Sequence, residues 1–414
     1  MSDIEPDKKP AIKMAIACGA EDRGETVSLM EPFLVGETSR HRGELTDLAV
    51  ELAQRAAGLR RGLPEGIVKS LSDLVRTMNC YYSNLIEGHD THLTDIGRAL
   101  KDDYSADTEK RNLQLEARAH IAVQKWIDEE VLKGGATAVA CLQEIHCQFG
   151  KLLPQELLQV ENPDTGEIVS VVPGELRDYD VRVGRHVPVS PGAVPRFMKR
   201  FESVYGNLGK TDAILASAAA HHRLLWIHPF LDGNGRVARL MSDAMLSEAL
   251  DAVRIWSVSR GLVRKEREYK NHLMACDAGR RNDLDGRGSL SEEALAGFTR
   301  FFLTTCIDQV DFMKGLIMPD RLLNRIMLWT EEEIRAGELP PQSGIIMRDA
   351  FYRGELPRGE VTRLLGSSPR HARRVTSVLL KRGVLVSRST RAPLRLAFPA
   401  ELASRWLPGL FPEK

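Results

Sequence analysis

Long apolar runs, clustered cysteines and an excess of either charge are all missing from this chain of 414 residues. No segment approaches the ~20 apolar residues that a membrane span needs, so no membrane association is expected. The six cysteines are scattered without a CxxC pair, which argues against a disulfide framework and favours a cytoplasmic location. The N-terminal run MAIACGA is too short for a signal peptide and follows the acids Asp3, Glu5 and Asp7.

Balanced charge and 43% hydrophobic residues predict a soluble globular chain, long enough for two or three domains. Helical periodicity dominates, except between about 158 and 190, where valine, glycine and proline are frequent and Pro-Asp-Thr-Gly signals a turn. We predict a β-hairpin there. Because binding residues are often placed on loops and edges of a rigid scaffold, we expect this hairpin to contact a ligand or partner.

The stretch HPFLDGNGRVARL, residues 228–240, has the features of an anion site. Gly233 and Gly235, on either side of Asn234, let the backbone bend tightly and bring its amide groups close to a ligand. At a helix N-terminus, such amides bind phosphates. Arg236 and Arg239 are three residues apart and project from nearly one face of the new helix, an arrangement that suits a polyphosphate.

Two other side chains of the same stretch add chemistry to the anion site. Asp232 offers a hard oxygen ligand, of the kind that shares Mg²⁺ with substrate phosphates. His228 can take a proton from an attacking hydroxyl, because an unperturbed histidine titrates near neutrality. The set predicts transfer of a phosphorus group from a nucleotide to an alcohol, although each residue taken singly could be structural. The stretch is not a Walker P-loop, because no GxxxxGK[ST] occurs.

HPFLDGNGRVAR resembles the signature of the Fic family, HxFx(D/E)GNGRxxR, at every defined position, and the resemblance spans roughly residues 80 to 310. It implies transfer of AMP from ATP to a Ser, Thr or Tyr hydroxyl of a target protein. In this resemblance His228 is the general base, Asp232 is the Mg²⁺ ligand and Phe230 anchors the loop in the core. Arg236 would hold the β-phosphate side, and Arg239 the γ-phosphate. The remaining ATP-binding residues of the signature would be Gly233, Asn234 and Gly235, which form the anion hole, with Val237 and Ala238.

Two other stretches resemble parts of the family's nucleotide site. DVRVGRHVPVSP, residues 180–191, resembles the flap, a hairpin that aligns the target segment by main-chain pairing, although a plain structural hairpin stays open. EYKNHLMACDAG resembles the helix that closes over the adenine. Many relatives have a second aromatic residue and a later asparagine where this chain has Lys270 and Asp277, so base selectivity is less certain than the reaction. The implied nucleotide contacts are Val181, Arg182, Val183, Gly184, Tyr269 and Asp277.

SNLIEG, residues 83–88, matches the family's inhibitory motif [ST]xxxE[GN] on a helix that precedes the core. Ser83 and Glu87 are four residues apart and therefore share a helix face, and Gly88 follows. In relatives the glutamate pairs with the second arginine of the signature, here Arg239, and excludes the γ-phosphate. The alternative is that Glu87 is an ordinary acid at a helix end.

Residues 342–414 predict three helices and a small hairpin, the pattern of a winged helix-turn-helix. Between 358 and 396 there are ten arginine or lysine residues and one acid, in a chain without net charge. Such a basic third helix and wing would suit DNA, and docking of a protein partner is the alternative. The features that carry this prediction are the turn at Gly366, the helix start at Ser368 and Pro369, and the third-helix arginines Arg370, Arg373 and Arg374.

The predicted fold class is mainly α, a Fic helical bundle with a β-hairpin flap and a C-terminal winged helix domain. The predicted segments are an N-terminal arm (1–27), a helical region with the inhibitory helix (28–112), the Fic core (113–318), a linker helix (319–341) and the winged helix (342–414). The expected function is a self-inhibited protein adenylyltransferase that uses ATP and Mg²⁺. The alternatives are removal of AMP or use of another nucleotide by the same site, and a nucleotide-sensing transcriptional regulator. The sequence also leaves open a homodimer.

Overall fold

The computed structural model describes residues 12–15, 21–129, 132–162, 166–250 and 255–412, and this part of the chain is mainly helical, as predicted. None of its helices has the length and apolarity that crossing a membrane requires. The helices are α1 (Arg42–Arg61), α2 (Glu65–Ile86), α3 (Leu93–Ala99), α4 (Thr108–Glu129), α5 (Val139–Lys151), α6 (Val194–Tyr205), α7 (Lys210–Ile227), α8 (Asn234–Leu250), α9 (Val258–Arg264), α10 (Glu266–Cys276), α11 (Glu292–Ile317), α12 (Pro319–Arg335), α13 (Ser343–Arg353), α14 (Val361–Leu365), α15 (Pro369–Lys381) and α16 (Ala403–Trp406). The strands are β1 (Ile12–Ala15), β2 (Gln159–Glu161), β3 (Ile168–Ser170), β4 (Asp180–Val183), β5 (Leu385–Val386) and β6 (Arg395–Leu396).

The chain divides into two compact units. The first contains Met1–Ala53, Cys80–Asp251 and Val258–Ile307, and the second contains Gln54–Asn79, Ala252–Ser257 and Asp308–Lys414. The five predicted segments stay a prediction.

Helix α7 forms the centre of the first unit. Its sequence, KTDAILASAAAHHRLLWI, is apolar almost all round, and nearly every residue from Ile214 to Ile227 is buried. A helix that is apolar on all sides must be surrounded by other elements. Its alanines let α8 pack closely against it, and the short loop between the two helices carries the predicted site. We call residues 228–233 the signature loop.

The strands of the first unit lie next to the signature loop. β2 and β3 form an antiparallel hairpin with Val160 opposite Val169. Val169 packs in one buried cluster with Val181 of β4 and Leu231 of the signature loop. The hairpin between 158 and 190 is therefore observed over its first part.

The longest pairing of β4 is with β1, which belongs to the predicted N-terminal arm. Beyond β4, the chain closes a tight turn in which Val183 and His186 exchange both backbone hydrogen bonds at 3.0 Å. Gly184 lies in this turn with φ +59°, a left-handed conformation that favours glycine. The sequence did not predict β1, because a four-residue strand whose partners are 165 or more positions away has no local signal.

The second unit contains the predicted order of three helices and a hairpin. Gly366, at φ +56°, ends α14. Helix α15 begins at Pro369, and the Ser368 hydroxyl accepts a hydrogen bond from the backbone amide of His371 at 3.3 Å. β5 and β6 then pair antiparallel, with Leu385 opposite Leu396.

Candidate active site

His228 ends helix α7 in an unusual backbone conformation. Its φ and ψ angles are +52° and +60°, the left-handed region, and its amide still bonds to the carbonyl of Leu224 at 2.9 Å. A non-glycine residue in this region is strained and persists only where its surroundings fix it. The turn directs the chain sharply from α7 into the signature loop.

The His228 side chain is buried, with 6% of its surface exposed, and neither ring nitrogen makes a well-formed hydrogen bond among the described residues. Burial, together with the cationic side chain of Arg177 and nearby His186, lowers the pKa of His228 to about 3. The imidazole is therefore neutral at physiological pH. A neutral histidine with a nitrogen free to accept a proton is suited to the role of a general base.

Phe230 and Asn234 fix the middle of the signature loop. The Phe230 ring is fully buried and stacks on His146 with ring centroids 4.1 Å apart. The Asn234 side chain accepts a hydrogen bond from the Phe230 amide (2.9 Å) and donates one to the Phe230 carbonyl (2.7 Å). The side-chain amide of Asn234 thus stabilises the signature loop, and the backbone amide of Asn234 is left available to a ligand.

Helix α8 begins directly after Gly233, whose φ of +81° requires glycine. The first amides of a helix have no carbonyl partner within it, and they make its N-terminus an anion site. Gly235 faces this site. A Cβ atom there would lie 2.6 Å from Oε1 of Glu87. The carboxylate therefore lies directly against the backbone at the start of α8, residues 233–236, which we call the cradle.

Arg239 is held by the helix that precedes the core. Its Nε donates to the Ser83 hydroxyl at 2.9 Å, and its Nη2 lies 2.5 Å from Oε1 of Glu87. Burial raises the pKa of Glu87, but Arg239 and Arg236 outweigh burial and lower the pKa to about 2. Glu87 is therefore ionised. Gly88, at φ +79°, ends α2 so that Ser83 and Glu87 both contact Arg239.

Arg236 has a different carboxylate partner, which the sequence did not reveal. The Glu116 side chain of α4 lies 3.7 Å from Arg236 Nη2, and both side chains are largely buried. Glu116 also bonds to Nδ1 of His89 at 2.7 Å. His89 follows immediately after the Glu87-Gly88 pair, so the same segment is linked to both arginines of the signature.

Arg177 connects the signature loop with the strands beside it. Its guanidinium donates to the carbonyls of His228 (2.7 Å), Tyr179 (2.8 Å) and Val189 (2.5 Å). Its backbone amide donates to the Pro229 carbonyl at 2.9 Å. No motif pointed to Arg177, yet it fixes the backbone of the predicted base.

His146 makes a second connection of this kind. Its Nδ1 accepts from the Gly174 amide at 2.8 Å, so the neutral ring carries its proton on Nε2 and donates to the Asp232 carbonyl at 3.2 Å. His146 is buried, and these two bonds satisfy both of its ring nitrogens.

Asp232 presents a single carboxylate beside the cradle. Burial lowers the pKa of Arg236, but the carboxylates of Glu116, Asp232 and Glu87 outweigh burial and raise it. Among the described residues, no three His, Cys, Asp or Glu side chains form a metal cluster. One carboxylate next to the two arginines of the signature fits Mg²⁺, which takes one or two protein carboxylates and completes its shell with other oxygen ligands, such as phosphate and water.

The two predicted adenine residues differ in burial: Tyr269 is buried, and Asp277 is half-buried. The Tyr269 hydroxyl bonds to Nε2 of His221 at 2.7 Å and contacts Arg239. Nδ1 of His221 bonds to the Ser242 hydroxyl at 2.9 Å, so His221 is a hydrogen-bonded core residue. Asp277 bonds to His222 at 3.0 Å at the end of α10.

The predicted flap residues differ in exposure. Val181 is buried, Val183 is half-buried, and Arg182 and Gly184 are exposed. In α8, Val237 and Ala238 are buried, so only their backbone is available to a nucleotide. Which of these residues contact ATP stays a prediction.

Comparison with known proteins agrees with this geometry. Residues 137–246 match the model of the Fic/DOC family. The chain is 29% identical over 198 residues to "Protein adenylyltransferase Fic" of Culex quinquefasciatus, covering 47% of this chain and 34% of that protein. It is 36% identical over 99 residues to the protein of the same name from Drosophila willistoni, covering 23% and 20%. The chain thus spans a fifth to a third of the length of these curated relatives.

Solved structures show the same fold. A Fic family protein from Desulfovibrio desulfuricans G20 superposes with a TM-score of 0.52 at 17% identity, covering 88% of this chain and 98% of that one. Fic-1 from C. elegans (residues 134–508) gives a TM-score of 0.51 at 17% identity, covering 66% and 72%. The predicted Fic fold is confirmed, and residues 137–246, which match the family model, contain the signature loop and most of α8.

Proposed function

We propose that this chain transfers AMP from ATP to a hydroxyl of a protein, and that Glu87 inhibits the resting enzyme. The names of the curated relatives support the reaction. The local geometry supports it independently. A neutral, buried histidine lies beside a helix N-terminus with two arginines, which are the parts that nucleotidyl transfer requires.

In the proposed reaction the target hydroxyl attacks the α-phosphorus of ATP. A new oxygen–phosphorus bond forms, the bond to the β-phosphate oxygen breaks, and His228 takes the hydroxyl proton. The amides at the start of α8 with Arg236 and Arg239 hold the pyrophosphate that leaves. Mg²⁺, held by Asp232 when bound, would neutralise charge on the phosphates.

The observation that carries the inhibition proposal is the contact between Glu87 and Arg239. The ionised carboxylate takes the guanidinium fork that the γ-phosphate needs, and it lies against Gly235 in the cradle. Both effects oppose the binding of an anion at this point, because the fork is occupied and the carboxylate repels phosphate. The resting enzyme should therefore transfer AMP slowly.

The test compares wild type with Glu87→Gly, Glu87→Gly/His228→Ala and a control, Glu109→Gly, on the exposed first turn of α4. Each protein is incubated with ATP and Mg²⁺, and covalent AMP on the protein is measured by mass spectrometry. We expect strong self-modification with Glu87→Gly and none when His228 is also changed. Equal incorporation by wild type and Glu87→Gly would refute inhibition, and incorporation without His228 would refute the base.

A second function is supported by the charge of the third helix in residues 342–414. Arg370, Arg373 and Arg374 are exposed and form no ion pair with an acid among the described residues. The hairpin that follows adds Arg388 and Arg391, both exposed. Unpaired arginines on one helix and its wing are suited to DNA phosphates, so we propose that this part binds DNA as a winged helix.

This proposal is tested with the full chain and a short labelled DNA duplex at about 50 mM salt and above, where binding should weaken steeply as salt rises. Changing Arg370, Arg373 and Arg374 to alanine should remove the binding. The charge-matched control, Lys101, Lys110 and Arg111 to alanine, should retain it. No binding by the wild type at low salt would refute the proposal.

A further inference from the structure

Strand β4 is paired along its length by a segment of the same chain. β1 runs antiparallel to it, with Ile12 opposite Val183, Lys13 opposite Arg182, Met14 opposite Val181 and Ala15 opposite Asp180. Among the described strands, β4 has no other partner of this length. An extended peptide that added to this edge would form the same backbone bonds, so it would have to replace β1.

The edge is connected directly to the signature loop. Val181 of β4 packs with Leu231, and Arg177 joins the residue before β4 to the His228 carbonyl. After β4, Nε2–H of His186 donates a hydrogen bond to the carbonyl of Trp226 at 2.7 Å. A strand on β4 is therefore placed next to the loop that carries the base.

The residues that follow β1 are fastened to the same part of the molecule. Arg23 makes a bidentate contact with Asp180, with distances of 2.6 and 3.1 Å. Glu25 accepts hydrogen bonds from the amide and hydroxyl of Ser190 at 2.8 and 2.6 Å. Asp22 pairs with Arg196 at 2.8 Å. A tethered strand competes at an effective concentration on the order of millimolar, which a target in solution must overcome.

The sequence of this segment lacks the group that the reaction modifies. Residues 3–25 contain no serine, threonine or tyrosine, whereas Thr26 and Ser28 follow immediately. A segment without hydroxyls can occupy the edge and leave the enzyme unmodified.

We propose that β1 is a built-in pseudosubstrate: it holds the β4 edge in the place of a target segment and carries no acceptor hydroxyl. This inference rests on the proposed function. It also describes the target, which is an extended segment of apolar and basic residues like Ile12–Ala15 with a hydroxyl at the position that faces the nucleotide. Release of β1 from the edge should then raise the rate further, separately from removal of Glu87, and transient release of β1 accounts for the self-modification expected of the Glu87→Gly protein.

The first experiment converts the pseudosubstrate into a substrate. Ile12, Lys13, Met14 and Ala15 are each changed singly to serine in the Glu87→Gly background, and AMP on the N-terminal peptide is measured by mass spectrometry. Successive residues of a strand point to opposite faces, so we expect modification at alternate positions only. If the serines at positions 12 and 14 are modified, those at 13 and 15 are the matched controls, and the reverse holds if 13 and 15 are modified. Each control protein also carries a single new serine in the same strand.

Modification of native hydroxyls in the Glu87→Gly protein serves as the internal reference. If those hydroxyls are modified and none of the four new serines is, the pseudosubstrate proposal is overturned while the proposed function stands. If no AMP is found anywhere, the proposed function fails, and the pseudosubstrate proposal fails with it.

The second experiment measures competition at the edge. The probes are two synthetic peptides of residues 10–17. One has serine in place of Met14, and the other has serine in place of Lys13, which points to the opposite face of the strand. Deleting residues 1–16 in the Glu87→Gly background should raise modification of one of these peptides by at least about tenfold, because the tethered competitor is lost. Arg23→Gln, which weakens the anchor and leaves the chain full length, should give an intermediate rise. Unchanged rates in both variants would overturn the proposal.

Discussion

Nε of Arg177 donates a hydrogen bond of 2.7 Å to the backbone carbonyl of His228, and both residues are buried. The same guanidinium donates to the carbonyls of Tyr179 and Val189, which lie before and after the flap turn. One side chain thus fixes the backbone of His228, the predicted base, and of both ends of the predicted flap. Hydrogen bonds from a charged donor to three carbonyls cannot be replaced by lysine, whose ammonium does not have a planar fork.

We therefore expect Arg177→Lys to lower the free energy of unfolding by about 2–4 kcal/mol, because buried carbonyls lose their donors. AMP transfer by the Glu87→Gly protein should fall as well, since the strained His228 backbone loses its support. Urea unfolding and initial rates measure the two effects. Arg267→Lys, at an exposed position, is the control and should change neither; an Arg177→Lys protein with unaltered rate would contradict the positioning role.

Ser83→Ala should release part of the inhibition. Arg239 Nε loses its acceptor at 2.9 Å, and a hydrogen bond to a charged group is worth about 1.5–3 kcal/mol. Arg239 then leaves the Glu87 contact more readily, and self-modification should rise several-fold above wild type and stay below Glu87→Gly. The rate of AMP incorporation is the measurement.

Ser72→Ala on the same helix α2 is the matched control, because the Ser72 hydroxyl is also buried and bonds only to the Val68 carbonyl among the contacts described. It should affect stability alone. Activation by both variants would show that loosening α2, and not loss of the Arg239 contact, relieves inhibition.

The parts of the site that lie close together in sequence were predictable. The signature loop and the start of α8 are contiguous, so the backbone bend at Gly233 and the shared direction of Arg236 and Arg239 follow from spacing. Ser83 and Glu87 share a helix face for the same reason, and the structure shows both on Arg239. The helical fold class followed from periodicity in the same way.

The parts that depend on distant segments were not predictable from one sequence. Arg177 and His146 contact the signature loop, and Glu116 contacts Arg236, each from 51 or more positions away, and nothing in their own surroundings marks them. β1 is a four-residue strand in a polar arm, and only its backbone pairing with β4 gives it a role. Such contacts are decided by tertiary packing, which propensity and periodicity do not encode.

Stability should fall as the pH falls from 7 to 5. Burial lowers the pKa values of five histidines far below the ordinary 6.5, so the unfolded chain takes up protons that the folded chain does not. Each histidine then costs about 1.4 kcal/mol per pH unit below pH 6.5 until its folded pKa is reached. Asp243 has the opposite effect, because burial raises its pKa to about 7 and the folded chain takes up one proton there as the pH falls below 7. The histidines and their folded pKa values are His120 (about 3), His146 (about 4), His221 (about 3), His222 (about 4) and His228 (about 3).

Thermal melts between pH 7 and pH 5 measure this effect, and the melting temperature should decrease steeply toward the acid side. His120→Leu should make the decrease less steep, because the unfolded variant takes up one proton fewer. The substitution leaves no partner of Nδ1 without its hydrogen bond, because this buried nitrogen has none among the described residues. A melting temperature that is equal or higher at pH 5 would contradict the prediction.

Glu116→Gln should destabilise the protein in a way that ATP reverses. Arg236 would lose the carboxylate at 3.7 Å and become a buried charge with one partner fewer, a change that typically costs about 3–5 kcal/mol. Phosphate oxygens can supply the missing negative charge, so the ATP-induced rise in melting temperature should be larger for Glu116→Gln/Glu87→Gly than for Glu87→Gly alone. Glu109→Gln, on the exposed face of the same helix, should leave the rise unchanged. If the rise is the same in all three proteins, Glu116 does not compete with the nucleotide for Arg236, and its pairing with His89 would be structural only.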